Sequence, residues 1–354
     1  MNKLDDPSTY LIDASGMFGH IERLGLEFER AWLASAHMPV PAGSFDRVVI
    51  IAMGGSAAAA DYFSAWATKE SPVPVQVLRG YALPEYADER ALVVALSYSG
   101  KTEEVLSCYT RATTRRCPRM VITSGGDLAD RAATLGDPFH QVRYESSPRA
   151  ALAHMLAPLV RLGQRLGLTS MCNSDIAAVR EAHRSLVSTR LGREIPTEAN
   201  PAKQLAELVL DGSQLVLLGE EHLAPAARRT KNQFAENAKM LASFEELPEA
   251  AHNVVVGLAG AGNSPVGLAF RSPSLARERA TRDARLEHLF RSAGGEFVAL
   301  PTRGISRLAD QLEASAWGDF VSCYVALLRD IDPTPTPELA YMHGVTAPAA
   351  PSPA

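Results

Sequence analysis

The chain reads as an α/β protein with two halves, each a parallel sheet flanked by helices, behind an N-terminal helical segment. Three features predict this. Apolar runs of strand length, such as RVVIIAM at Arg47–Met53 and QLVLL at Gln214–Leu218, show no alternation of polar and apolar residues. Strands buried on both faces of a parallel sheet have this character. The runs alternate with helical patterns, as βαβ units require, and the alternation stops for a purely helical stretch at 148–191 before it resumes. One long doubly wound sheet is the competing arrangement. A length of 354 residues suits two domains with buried cores.

The elements follow in order. Residues 9–37 carry helical apolar periodicity, and Pro39–Ser44 links them to the first strand, Arg47–Met53. Gly54-Gly55-Ser56 opens an Ala-rich helix through Ala67. Strands are expected at Val75–Leu78, Ala91–Leu96 and Arg119–Thr123, with helices between. Helices from Pro148 lead to a linker at Gly192–Asn200. The second half has a helix at Ala202–Val209, the strand at Gln214–Leu218 and a helix at Ala224–Leu241. Strands at Val254–Leu258 and Glu296–Leu300 follow, then a helix at Ile305–Leu328. The expected divisions are 1–42 for the helical segment, 43–191 for the first unit with its helical linker and 192–344 for the second unit. The Ala/Pro/Ser-rich tail at 345–354 is expected to be disordered.

The most informative stretch is VVALSYSGKTEE, Val93 to Glu104. A buried strand ends in Ser97-Tyr98-Ser99-Gly100-Lys101-Thr102 and enters a helix at Glu103-Glu104. Backbone N–H groups and the helix dipole make such a turn a site for a phosphate, and Ser97, Ser99 and Thr102 add uncharged donors. Plain helix capping by the same residues is the alternative. GKT at Gly100–Thr102 is not a P-loop, because Ala95 stands where the first glycine is required. Gly54-Gly55-Ser56 is a second tight turn at a helix start, and GGSAAAAD lacks the later glycine of a dinucleotide site. Strand ends in an open α/β sheet converge, so Gly55 and Ser56 from one turn and Ser97, Ser99 and Thr102 from the other can surround one phosphate. Thr123-Ser124-Gly125-Gly126 either borders that crevice or is an ordinary turn.

In the second half, Glu236 and His252 lie near the ends of consecutive elements and form a candidate acid/base pair. Otherwise Glu236 is a solvated helix carboxylate and His252 a loop histidine in a capping role. Arg149, after Pro148, is a candidate cation at the junction of the halves and is equally a candidate surface residue. The nine histidines show neither HxH nor HxxxH spacing, so no metal is expected. Cys108, Cys117, Cys172 and Cys323 lack CxxC spacing and read as reduced thiols. A net charge of −5 offers no nucleic-acid footprint. The polar, acidic opening MNKLDDPSTYLIDASGM has no apolar core, so neither a signal peptide nor a membrane span is expected, and a cytoplasmic protein is.

Taken together, MGGSAAAAD (Met53–Asp61), SYSGKTEE (Ser97–Glu104), ITSGGDL (Ile122–Leu128), SPRAAL (Ser147–Leu152), ENAK (Glu236–Lys239) and LPEAAHN (Leu247–Asn253) resemble, in this order, the bifunctional phosphoglucose/phosphomannose isomerases. GDFVSCYVALLRDIDPTPTPEL (Gly318–Leu339) is similar to their closing segment. The resemblance implies two sugar isomerase (SIS) domains in a homodimer with active sites near the subunit boundary. It also implies interconversion of glucose 6-phosphate or mannose 6-phosphate with fructose 6-phosphate through a cis-enediolate, chemistry that needs no cofactor. Carried over, Ser56, Ser97, Ser99 and Thr102 bind the phosphate and Glu236 moves the proton between C1 and C2. Arg149 stabilises the enediolate, and His252 of the neighbouring subunit assists ring opening. The chain departs from the family at Lys101, where Asn is usual, and at Val254, where an acidic residue is usual. His343 stands where a C-terminal lysine contributes to ring opening. A phosphosugar-binding protein without turnover and an isomerase of another phosphosugar are the rival expectations.

Overall fold

The computed structural model describes residues 2–212, 214–260, 264–275, 279–342 and 344. Short 3-10 turns at Lys3–Asp5 and Pro7–Ile12 precede helices α1 (Met17–Glu22) and α2 (Leu24–Ala34). The first unit is β1 (Arg47–Ala52), α3 (Gly54–Ala67), β2 (Val75–Leu78), β3 (Ala91–Leu96), α4 (Glu103–Thr114), β4 (Arg119–Thr123), α5 (Gly126–Leu135) and β5 (Phe139–Gln141). Its five strands are all parallel, in the order β2-β1-β3-β4-β5. Val49 pairs with Val93, and Ala95 with Val121. Every residue of β3 is buried, which explains its unbroken apolar sequence. The chain leaves β1 towards β2 on one side and returns to β3 on the other. The gap between the ends of β1 and β3 is therefore the topological switch point, where ligands of open α/β sheets bind.

A 3-10 turn at Pro148–Ala151 starts the helical section, α6 (Leu152–Arg165) and α7 (Asn173–Leu186), which ends in a π-helical turn at Val187–Leu191. The second unit comprises α8 (Pro201–Asp211), β6 (Gln214–Glu220), α9 (Ala224–Asn237), β7 (Ser243–Leu247), α10 (Val254–Leu258), β8 (Pro265–Arg271), α11 (Ala280–Ser292) and β9 (Glu296–Pro301). Its sheet is also parallel, in the order β7-β6-β8-β9. Helices α12 (Arg307–Leu328) and α13 (Pro337–Met342) close the described chain.

The two-sheet expectation holds, with differences in the second half. Val254–Leu258, expected as a strand, is a five-residue helix whose start is capped by Asn253. Val256 is 72% exposed there, and only Leu258 is buried. A short apolar run does not reveal its own period, so the β-branched valines misled. The sheet takes its strands from Ser243–Leu247, which is polar on an edge, and from Pro265–Arg271, which begins with proline.

One core cluster joins the N-terminal helices, the first sheet, the helical section and the second unit. Helix α12 runs through it, buried over nearly its whole length. Two of its buried polar residues, Gln311 and Ser315, reach a partner in the first half. Gln311 Nε2 donates to the carbonyls of Tyr62 at 3.0 Å and His222 at 2.9 Å. Ser315 Oγ meets Tyr62 Oη at 2.7 Å. Cys108, Cys117 and Cys323 are buried, Cys172 is exposed, and all four are free.

Candidate active site

The switch point is built by two turns that hold each other. Ser56, in the first turn of α3, is buried, and its Oγ accepts the Tyr98 N–H at 3.0 Å. Ser97, at the end of β3, is buried beside Thr102, with the two hydroxyl oxygens 2.8 Å apart. The Gly100 N–H donates to Ser97 Oγ at 3.1 Å. Thr102 is the N-cap residue of α4 but makes no capping hydrogen bond, because its hydroxyl turns to Ser97. The first N–H groups of α4 thus lack a side-chain acceptor, and an anion could supply one. Ser99 is exposed at the lip of the turn, and its Oγ accepts the Lys101 N–H at 3.3 Å.

Gly100 makes this compactness possible. Its φ is +66°, and a Cβ there would lie 1.8 Å from the Gly125 carbonyl oxygen, so only glycine fits. Ser124 N–H and Oγ both donate to the Tyr98 carbonyl, at 3.0 and 2.6 Å. The turn after β4 therefore supports the Ser97–Thr102 turn from behind.

Gly55 ties this cradle to the second half. A Cβ on it would come within 2.8 Å of the Pro148 carbonyl oxygen and 3.1 Å of the Arg149 nitrogen. Arg149 is buried and crosses the junction of the halves. Its Nε donates to Asn237 Oδ1 at 2.8 Å, and Nη2 donates to the carbonyls of Pro333 and Thr334 at 2.7 and 2.8 Å. Nη1 donates to Glu236 Oε2 at 3.3 Å. A guanidinium has five N–H donors. Among the described residues four are committed, and the fifth is on Nη1, the nitrogen that touches Glu236. Burial lowers the Arg149 pKa and the Glu236 carboxylate opposes the shift.

The pair is fixed from beneath. Asn237 Nδ2 donates to Ser322 Oγ at 3.0 Å on α12, which sets the amide with its oxygen towards Arg149. Arg229 Nη2 donates to the Arg149 carbonyl at 3.1 Å while Nη1 pairs with the buried Asp319. Gln233 donates to the same carboxylate at 2.6 Å. Lys239 Nζ donates to the carbonyls of Glu236 and Pro335. Three consecutive carbonyls of the closing segment, 333–335, are thus held by cations on either side of Glu236.

The structure therefore brings together Gly55, Ser56, Ser97, Thr102, Arg149 and Glu236, with Ser99 at the lip. His252 is exposed at the end of a 3-10 turn, and its side chain makes no hydrogen bond among the described residues. His343 lies outside the described residues. Sequence reasoning missed Asn237, Arg229, Gln233 and Asp319. Asn237 was within reach, since it follows Glu236 in ENAK. Asp319 and Arg229 carry no local signal, because their partnership depends on α9 packing against α12.

Comparison with known proteins bears on the family and the fold. Residues 198–344 match the family described as bacterial phospho-glucose isomerase C-terminal SIS domain. A bifunctional phosphoglucose/phosphomannose isomerase of Caldicellulosiruptor bescii is 31% identical over 332 residues, 91% of this chain and 96% of the relative. A glucose-6-phosphate isomerase like protein from Thermus thermophilus superposes with a TM-score of 0.62 at 21% identity, covering 98% of this chain and 100% of that one. The C-terminal domain of glucosamine-fructose-6-phosphate aminotransferase from Francisella tularensis gives a TM-score of 0.68 at 16% identity, covering 90% of this chain and 98% of that one. These two structures show the shared fold.

Proposed function

Since the chain belongs to the SIS-domain phosphosugar isomerases, we propose that it interconverts glucose 6-phosphate or mannose 6-phosphate with fructose 6-phosphate by proton transfer between C1 and C2. The contact between Glu236 and Arg149 carries this reading. An aldose–ketose isomerase needs a carboxylate to take the proton from one carbon and return it to the other. It also needs positive charge where the enediolate oxygen becomes negative. Glu236 keeps 28% of its side chain exposed, and among the described residues the buried Arg149 keeps one N–H without an acceptor on the nitrogen facing it.

In this reading the 6-phosphate sits on the hydroxyls of Ser56, Ser97, Ser99 and Thr102 and the free N–H groups at the start of α4. Gly55 allows close backbone approach. The sugar chain then extends towards Glu236, whose carboxylate shuttles the proton while the fifth N–H of Arg149 meets the enediolate oxygen. The partner subunit's His252 serves ring opening in a homodimer, a role for which its exposed imidazole is accessible. His343 either shares that task or is vestigial.

Fructose 6-phosphate supplied without added metal should yield glucose 6-phosphate or mannose 6-phosphate in a coupled assay. In Glu236→Gln, exchange of the C1/C2 proton with solvent should be lost while the phosphosugar still binds. Exchange at the wild-type rate in Glu236→Gln would remove Glu236 from the mechanism. Tight binding with no turnover in the wild type would favour the second reading, a phosphosugar-binding protein, which the replacement of the family lysine by His343 motivates.

A further inference from the structure

A cavity of about 560 Å³ lies between α2, the segment after it, β5 with the segment that follows, and α6. Arg30, His37, His140, Arg143 and His154 line it, against one carboxylate, Glu27. Both Glu27 oxygens are engaged: Oε1 accepts from Arg30 Nη1 at 2.8 Å, and Oε2 lies 3.1 Å from His154 Nε2. Arg143 and His37 are exposed, and neither they nor His140 has a side-chain hydrogen bond or ion pair among the described residues. In a chain of net charge −5, this lining is a local reversal of sign. Burial lowers the pKa of both His140 and His154, so near neutral pH they are uncharged hydrogen-bonding groups and the fixed charge comes from the arginines.

The back wall of the cavity reaches the phosphate turn. Tyr144 stacks on His154, with ring centroids 4.1 Å apart, and its hydroxyl lies 2.6 Å from His20 Nδ1. The Tyr144 carbonyl accepts the hydroxyl of Tyr98, and the Ser146 N–H donates to that same hydroxyl at 3.2 Å. Tyr98 is the residue whose backbone N–H holds Ser56. One side chain thus joins the cavity wall to the cradle.

We infer that this cavity binds a small polyvalent anion, a phosphate ester or a di- or tricarboxylate, and that Tyr144 and Tyr98 transmit its presence to the phosphate turn. Net positive charge with free donors selects an anion, and the volume accommodates a metabolite larger than inorganic phosphate. The transmission rests on the phosphosugar reading of the cradle, whereas binding in the cavity does not.

Calorimetry with pyrophosphate and with citrate, each in the presence of saturating fructose 6-phosphate, tests both parts. One equivalent of at least one anion should still bind wild-type protein and bind about tenfold more weakly, or worse, to Arg143→Gln and to His140→Gln/Arg143→Gln. A preference for pyrophosphate would assign a phosphate ester, and a preference for citrate a carboxylate. Arg143 is exposed, so its single substitution keeps the test valid if the double variant folds poorly. Ser99→Ala/Thr102→Val should retain this equivalent, even if the cradle binds no sugar at all. Binding of neither anion, or binding unaffected by Arg143→Gln, overturns the site. For the coupling, the bound anion should change fructose 6-phosphate affinity about twofold or more in the wild type and not in Tyr98→Phe. Equal sugar affinity with and without the anion in the wild type overturns the transmission.

Discussion

Because Arg149 commits four of its five N–H groups to protein acceptors, the direction of the fifth depends on the other four staying in place. Asn237 is the buried partner most open to test, since its amide bridges Arg149 to Ser322 on α12. Asn237→Leu keeps the volume but leaves the Nε–H and the Ser322 hydroxyl without this partner, which should lower stability by about 1–3 kcal/mol. Turnover should fall more than phosphosugar affinity, because the phosphate donors are untouched. An unchanged kcat with a raised KM would show that Asn237 does not orient Arg149. A different residue governs the response to acid. His183 on α7 is fully buried with Nε2 unpartnered, and burial pushes its pKa down from 6.5 to about 4. As the pH falls, the unfolded chain takes up this proton first. The contribution is therefore complete above about pH 6.5 and is lost as the pH falls towards 4, by up to roughly 3 kcal/mol. Urea midpoints should accordingly drop more steeply between pH 6.5 and 4 in the wild type than in His183→Leu. Equal slopes would show that His183 does not titrate across unfolding.

At the scale of the element, the turn from β3 into α4 carries the densest set of constraints. Gly100→Ala would require φ near +66° and a Cβ inside the Gly125 carbonyl, a combination that should cost roughly 2–4 kcal/mol. It should also abolish phosphosugar binding, because Ser97 and Thr102 are positioned by that turn. Thr102→Val is the milder companion: it removes one hydroxyl and should weaken binding by about 1–3 kcal/mol with little loss of stability. Wild-type affinity in both variants, measured by calorimetry, would place the phosphate elsewhere. Such turns are legible in a sequence because they are local. Gly, Ser and Thr at a strand end have few alternatives, so the cradle residues could be named from SYSGKTEE and GGSAAAAD alone. The second half was less legible for the same reason. β7 reads SFEEL because an edge strand exposes polar residues, and the valines of α10 resemble a strand although they form one short helical turn.

At the scale of the whole molecule, what the sequence concealed was the long-range packing of its elements. The Arg149–Glu236 contact spans 87 positions and the Arg229–Asp319 pair 90, and no local pattern announces either. Motif order alone placed Glu236 and Arg149 in one site, without the geometry that, among the described residues, leaves Arg149 one N–H without an acceptor. His252 extends the argument beyond one chain. It stands exposed beside α10, where Val256 is 72% exposed, and Leu241, after α9, is 89% exposed. If the proposed homodimer brings the partner subunit's His252 to each Glu236, the two residues of one site come from different chains. Mixing Glu236→Gln protein with His252→Ala protein then has a distinctive consequence. In a mixed dimer one site inherits both substitutions, while the other combines an intact Glu236 with an intact His252. Random exchange makes half of the dimers mixed, so about a quarter of the sites should be wild type. Equal mixtures, unfolded and refolded together, should recover about that fraction of wild-type turnover from two nearly inactive parents. If Glu236 and His252 instead served the same site within one chain, every site in every mixed dimer would carry a substitution, and mixing would restore nothing.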